Sequence, residues 1–237
     1  MSHLKENNTN DSSTSISVPG ALGISLCEER LFLLPQKAMY WPKHSTLFLA
    51  DAHFGKAGTF RSQQIAIPSG ITETDLSKID FLVEQLSIAK IIFLGDFIHA
   101  KSGMTKRITE QLLEWRKGHS KLSISLIKGN HDRSVQSIAD SLDIELLNEP
   151  FQMPPFLLCH HPDRKHELEG FVLCGHLHPA VKLYGQAKQK VRLPCFYIQE
   201  NQAVLPAFGS FTGCMEVRPH KNESVYVVAD NEVVNVV

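Results

Sequence analysis

The sequence predicts an α/β domain whose first half alternates strand and helix and whose second half is rich in strands. Three observations carry this. Apolar strand-like runs alternate with helix-period stretches from Arg30 to about Leu142, the order of a parallel sheet with crossover helices. Short apolar runs then follow one another with little helix between them. Hydrophobic residues make up 43% of the 237-residue chain and charged residues 21%, which is enough apolar side chain for a sizeable core.

The elements follow in order. Residues 1–20, MSHLKENNTNDSSTSISVPG, are polar and rich in Ser, Asn and Thr, and read as a disordered tail. RLFLLP and STLFLAD read as strands. A helix is expected from near Thr74 through DLSKIDFLVEQLSIA, with Leu76, Ile79, Leu82, Val83 and Leu86 on one stripe. KIIFLGD reads as a buried strand. TKRITEQLLEWRKGH reads as a second helix and LSISLIKGN as the next strand. A third helix is expected from Asp132 to about Leu142. The runs FLLCH, FVLCGH, AVKLYG, CFYIQ and AVLPAF then supply the β-rich half. SVYVVADNEVVNVV reads as a hairpin turning at Ala229-Asp230-Asn231. No repeat and no long linker divides the chain, so residues 21–237 are expected to form a single domain.

Bulk properties narrow the setting. No apolar run reaches the length of a membrane span. The N-terminus lacks the basic-then-apolar order of a secretory leader, so a cytoplasmic protein is expected. The five cysteines, Cys27, Cys159, Cys174, Cys195 and Cys214, form no CxxC pair and read as reduced thiols, three of them in apolar runs. A net charge of −1 gives no bulk basic field. A nucleic-acid partner would have to be drawn by local basic groups or by metal ions.

The polar residues fall at the ends of the apolar strands. LFLAD ends in Asp51-Ala-His53, IIFLGD in Gly95-Asp96, and LIKGNHD in Asn130-His131-Asp132. FLLCH ends in His160-His161, and FVLCGHLH in Gly175-His176-Leu177-His178. Ligands of α/β sheets bind at the carboxyl ends of strands, so these residues are expected to converge. Imidazole, carboxylate and one amide oxygen suit Mn²⁺, Fe²⁺ or Zn²⁺. The absence of thiolate argues against a closed structural zinc site. Asp-x-His and His-x-His would put both side chains on one side of an extended backbone. Each piece has an ordinary explanation by itself: Asp132, for example, reads as a helix N-cap. Five pieces in order, each closing an apolar strand, leave chance little room.

These blocks, Asp51-x-His53, Gly95-Asp96, Gly129-Asn130-His131-Asp132, His160 and Gly175-His176-x-His178, resemble those of the calcineurin-like metallophosphoesterases. A narrower set, AMYWP, ADAHFGKAGTFRSQQIAIPSG, LGDFIHAKSG, GHLHPAVKL, RLPCF and VLPAFGSFTG, resembles the bacterial ligase-associated DNA-damage-response endonucleases over Met39 to Gly213. Ala52 departs from the larger apolar residue expected between two ligands.

The resemblance implies a four-layer sandwich, two mixed β-sheets packed face to face and flanked by helices. It implies two divalent metal ions, Mn²⁺ first, with Fe, Zn or Mg as alternatives. Asp51, His53 and His178 would hold one ion, Asn130, His160 and His176 the other, and Asp96 both. His160 is preferred to His161 because it directly ends its strand. His131 would act on the substrate phosphate or leaving group, with Asp132 starting the helix or orienting its neighbour. DNA is the implied substrate, in a repair setting shared with an ATP-dependent DNA ligase, a helicase and a nuclease of the metallo-β-lactamase type.

Lys56 and Arg61 are read as grips on flanking phosphates, against the alternative of a solvated loop. His99 and Lys101 invite the same reading with less support. Two other functions compete with a DNA phosphodiesterase: a phosphatase or phosphodiesterase for a small substrate such as a cyclic nucleotide or nucleotide-linked lipid, and a non-catalytic scaffold. Intact ligands and an intact His131 rank the scaffold last.

Overall fold

The computed structural model describes residues 16–163, 167–184 and 190–237. Its first sheet has seven strands in chain order. They are β1 (Leu22–Leu26), β2 (Glu29–Leu34), β3 (Ala38–Trp41), β4 (Thr46–Leu49), β5 (Lys90–Leu94), β6 (Ser123–Ile127) and β7 (Ile144–Leu147). β1 to β4 pair antiparallel, and β4 to β7 pair parallel. Between them run α1 (Lys56–Ser62), α2 (Ile71–Gln85), α3 (Lys106–Gly118) and α4 (Gln136–Leu142).

The parallel strands are apolar on both faces because both faces are covered. On β5, Ile91 and Phe93 face α2 and α3. Ile92 and Leu94 face the second sheet. α2 packs Leu76, Ile79 and Leu82 into the helix-side core, α3 packs Ile108 and Leu112, and α4 packs Ala139 and Leu142. The Thr105 hydroxyl caps α3 by accepting from the Ile108 N–H at 3.4 Å.

The second sheet contains β8 (Phe151–Met153), β9 (Phe156–Leu158), β10 (Phe171–Cys174), β11 (Pro179–Tyr184), β12 (Lys190–Ile198), β13 (Gln202–Val204), β14 (Met215–Glu216), β15 (Ser224–Ala229) and β16 (Glu232–Asn235). It is mixed, with β10 parallel to both β9 and β13 and most other pairs antiparallel. Its inner face meets the first sheet through Phe156, Leu173, Phe196 and Ile198 against Trp41, Phe48 and Leu94. The Trp41 and Phe156 rings meet edge to face, centroids 5.0 Å apart, a favoured aromatic geometry. This is the metallophosphoesterase-like sandwich of two packed mixed sheets. Among the described residues, α2, α3 and α4 pack on the outer face of the first sheet. On the outer face of the second, Cys174, Cys195, Val204 and Val225 form a smaller core with Val217 and Leu168 from connecting segments.

Several expectations need correction at the level of elements. Residues 16–20, read as tail, are held: Val18 is 3% exposed and the Ser17 hydroxyl donates to the Gln85 carbonyl at 2.9 Å. The earlier part of the tail lies outside the described residues. The helix expected from Asp132 is broken into a 3-10 turn, Asp132–Ser134, and then α4. Lys56 and Arg61 lie on a short helix, α1, rather than in a loop. The terminal hairpin forms as expected, with Asp230 and Asn231 both at positive φ, 47° and 62°, the turn geometry that suits strand twist.

Candidate metal centre

The first-sheet strands β4, β5 and β6 end beside one another, and β9 and β10 bring the second sheet to the same edge. Asp51, Asp96, Asn130, His160, His176 and His178 are therefore delivered to one rim. The backbone there is unusual. Asp51, His53, Asp96, His176 and His178 all sit at positive φ, 53°, 47°, 51°, 69° and 49°. The expected convergence is real, but alternation along an extended strand does not cause it. Left-handed residues turn the side chains inward just after each strand stops. Such residues cost about 1 kcal/mol or more each and cluster at functional sites.

Glycines make room for this. A Cβ on Gly95, itself at φ +85°, would lie 2.0 Å from His160 Nδ1. One on Gly129 would lie 2.3 Å from Asp96 Oδ1. Both glycines adjoin residues of the centre, which explains the Gly-Asp and Gly-Asn pairs in the sequence.

Two groups of acceptors result. In the first, His53 Nε2 lies 3.3 Å from His178 Nε2, and His178 Nε2 lies 3.3 Å from Asp51 Oδ1. In the second, His160 Nε2 lies 3.0 Å from Asn130 Oδ1 and 3.0 Å from His176 Nδ1. Asp96 Oδ2 stands between the groups, 3.8 Å from His53 Nε2 and 3.6 Å from His160 Nε2.

The tautomers show what is missing from these contacts. His178 Nδ1 faces the Gly213 carbonyl at 3.0 Å, and His160 Nδ1 faces the Leu94 carbonyl at 3.1 Å. A carbonyl only accepts, so each Nδ1 carries the hydrogen and, in the neutral ring, each Nε2 presents a lone pair. Lone pairs therefore face Asp51 Oδ1, Asp96 Oδ2 and Asn130 Oδ1. Asp51 Oδ1 is buried with no hydrogen-bond donor among the described residues. Acceptors buried against acceptors are unfavourable unless cations sit among them. Spacings near 3 Å between donor atoms suit ions bound at about 2.0–2.2 Å. The residues fit divalent metal ions.

The electrostatics agree. Burial pushes His53 down to about 2, helped by the neighbouring His178. His176 is also lowered, by burial and then by His160. Both rings are neutral at physiological pH, the form that binds metal.

The remaining expected residues divide. His131 lies beside the first group, its ring edge-on to that of His53 with centroids 5.2 Å apart. Its own N–H donates to Asp96 Oδ1 at 2.9 Å. Asp132 is 3% exposed, and its carboxylate accepts from the N–H groups of Gly129, Phe97 and Ile98 at 3.0, 3.3 and 3.2 Å. Burial pushes it up to about 6 against those three bonds. These bonds tie the turn after Asp96 to the turn that carries Asn130.

Lys56 is half-buried; burial lowers its pKa while the charges of Asp51 and Asp96 raise it. Arg61 instead donates to the carbonyls of Ile67 and Pro68 at 3.3 and 3.0 Å. His161 also lies close to the second group, its ring centroid 4.6 Å from those of His160 and His176, but its side chain is 46% exposed and its Nδ1 lies 2.7 Å from Glu149 Oε1, whereas His160 is fully buried.

Sequence reasoning missed the supports. Glu149 Oε2 accepts from the N–H groups of His160 and His161 at 2.7 and 3.0 Å. His99 stacks on His131 with centroids 4.9 Å apart, and burial, with Lys56 and His131 nearby, pushes it down to about 4. The segment Leu205–Gly213 supplies the carbonyl that fixes His178. Of these, the sequence singles out only His99, in GDFIHAKSG, as a phosphate grip, and the VLPAFGSFTG stretch, with no chemistry assigned.

No family model and no curated protein matches the chain. Among solved structures, Pseudomonas putida nuclease MPE is 36% identical, with a TM-score of 0.78 over 91% of this chain and 100% of that one. An Aquifex aeolicus protein of unknown function is 16% identical with a TM-score of 0.39 over 60% of this chain, too distant to inform the site.

Proposed function

The chain belongs to the family of the Pseudomonas putida nuclease MPE, and from that premise we propose that it is a two-metal phosphodiesterase that cleaves DNA. The observation that carries the proposal is Asp96 Oδ2, set 3.8 and 3.6 Å from one imidazole nitrogen of each acceptor group. A carboxylate so placed can serve two ions at once. Asp51, His53 and His178 would hold one ion, Asn130, His160 and His176 the other, with manganese first and Fe, Zn or Mg as alternatives. Such a pair supplies a hydroxide at neutral pH and positive charge beside the phosphoryl oxygens.

The chain's own residues do the rest. The Asp96 carboxylate, through Oδ1, fixes the backbone of His131 beside the centre. The Nδ1 hydrogen of His131 is committed to the His99 carbonyl at 2.8 Å. Nε2 is therefore the atom that can pass a proton to the departing oxygen, or donate to a phosphoryl oxygen. Lys56 adds a cation at the rim for a neighbouring phosphate. Asp132 and Glu149 hold the loops without touching substrate.

The repair setting, the cytoplasmic location and the association with a ligase, a helicase and a second nuclease are parts of this proposal that rest on the sequence resemblance. No helix among the described residues is long and apolar enough to cross a membrane. The deciding experiment is a substrate panel with Mn²⁺: single-stranded DNA, bis-p-nitrophenyl phosphate and p-nitrophenyl phosphate. DNA and the diester should be cleaved and the monoester poorly. Preference for the monoester, with DNA untouched, would replace this reading with the small-substrate one.

A further inference from the structure

The segment Leu205–Gly213 has no regular secondary structure, yet Leu205, Ala207 and Phe208 are 0%, 5% and 0% exposed. It crosses the rim as a strap. Near its start, the Phe208 N–H donates to the Ala50 carbonyl at 2.8 Å and the Gly209 N–H to the Asp51 carbonyl at 3.3 Å. At its end, the Gly213 carbonyl accepts from His178 Nδ1 at 3.0 Å. Just beyond, the Met215 N–H donates to the His178 carbonyl at 3.0 Å. These four bonds reach the Asp51–His53–His178 group or the residue before it, while the Leu205 N–H, at the strap's first residue, donates to the Cys174 carbonyl at 2.8 Å, on the strand that leads to His176. None reaches Asn130, His160 or His176.

Between its two anchors the strap is clamped by α2. Asp75 is 2% exposed, on the buried side of α2 with Leu76 and Ile79. Its carboxylate accepts from the Ser210 N–H at 3.1 Å to each oxygen, and from the Ser210 hydroxyl at 2.6 Å. Lys78 Nζ completes the cluster, 2.8 Å from Asp75 Oδ1 and 2.6 Å from Ser210 Oγ. Lys37 Nζ donates to the Gly209 carbonyl at 3.1 Å. A carboxylate is costly to bury unless its partners are well placed, and among the described residues the hydrogen bonds to Asp75 from outside its own helix come from Ser210.

We propose that Asp75 is a positioning residue that, through Ser210, holds the strap so that Asp51 and His178 are set for one metal ion and not for the other. The inference rests on the two-metal reading. Outer supports of metal ligands typically contribute about 10–100-fold to affinity. Their loss here should be felt on one side of the centre only.

The test is calorimetric titration of the metal-free full chain with Mn²⁺, comparing the parent with Asp75→Asn, Ser210→Ala and Ser210→Thr. Thermal unfolding without metal checks that each variant folds. Asp75→Asn and Ser210→Ala should weaken one of two binding steps by about tenfold or more and leave the other within about twofold. Ser210→Thr, which keeps the hydroxyl, should restore the weakened step. Equal weakening of both steps, or lowered thermal stability with unchanged affinities, overturns the inference and makes the clamp merely structural. Should the parent itself bind fewer than two ions, the two-metal reading fails, and this inference with it. Ser210→Ala removes one hydroxyl from a half-buried cluster, so it keeps the test decisive even if Asp75→Asn does not fold.

Discussion

His131 Nδ1 donates to the carbonyl oxygen of His99, 2.8 Å away, and the two rings stack at 4.9 Å. The arrangement fixes the tautomer of His131 and turns its Nε2 into the working atom. His131→Ala should therefore leave both metal ions bound and slow the chemical step. General acid catalysis is typically worth about 10²–10⁴-fold. DNA, with a poor leaving group, should suffer at the upper end, and a nitrophenyl diester much less. Metal analysis and single-turnover rates on both substrates check this. Collapse of metal content in the variant would make His131 a ligand and not an acid.

Asp96 Oδ2 stands between the two acceptor groups, 3.8 Å from His53 Nε2 and 3.6 Å from His160 Nε2. Asp96→Ala should abolish turnover and reduce bound metal. It should also remove the thermal stabilisation that Mn²⁺ gives the parent, which at a hundredfold excess over Kd is about 2.7 kcal/mol. A variant that keeps two ions and full turnover would falsify the bridging assignment.

The limits of the sequence can be read from the same residues. KIIFLGD was legible as a buried parallel strand because Ile91 and Phe93 face one core and Ile92 and Leu94 the other. The candidate ligands were legible because they close such strands. The way they converge was not. Positive φ at Asp51, His53, Asp96, His176 and His178 is set by tertiary contacts, and periodicity carries no sign of it. α1 was missed because its buried residues, Ala57 and Gly58, are small and make no apolar stripe. Asp75 was not singled out in the sequence, because its partner Ser210 lies 135 residues away.

Lys37 gives a pH dependence with a definite sign. Burial, and then the charge of Lys78, lowers its pKa from 10.5 to about 8. Below pH 8 it is protonated in both the folded and unfolded states, and the folded state bears the cost of the buried charge. Between about pH 8 and 10.5 the unfolded chain binds more protons, so the contribution of Lys37 to stability should rise with pH. Urea unfolding of the parent and Lys37→Met at pH 7 to 10 measures it. The difference between them should be flat below pH 8 and shift in favour of the parent above it, by about 1–3 kcal/mol. Parallel curves across the range would show that Lys37 titrates normally.

Lys56 and Arg61 were expected to act alike, but the structure separates them. The charges of Asp51 and Asp96 raise the pKa of Lys56 against the effect of its burial, and Lys56 is the cation proposed to meet a phosphate beside the scissile one. Arg61 donates to the carbonyls of Ile67 and Pro68, which ties down the end of α1. A chain of net charge −1 has few cations to release counterions from DNA, so its salt dependence should be shallow. Each lost phosphate contact lowers the slope of log K against log salt by about one unit. In a catalytically dead Asp96→Asn background, Lys56→Ala should weaken binding of a short DNA oligomer and flatten the slope by about that amount. Arg61→Ala should change both less, and should act mainly on stability. The measurement is binding across a salt series from about 50 to 200 mM. If Lys56→Ala matches the parent in affinity and slope, no backbone phosphate is gripped there, and the small-substrate reading gains over the nuclease.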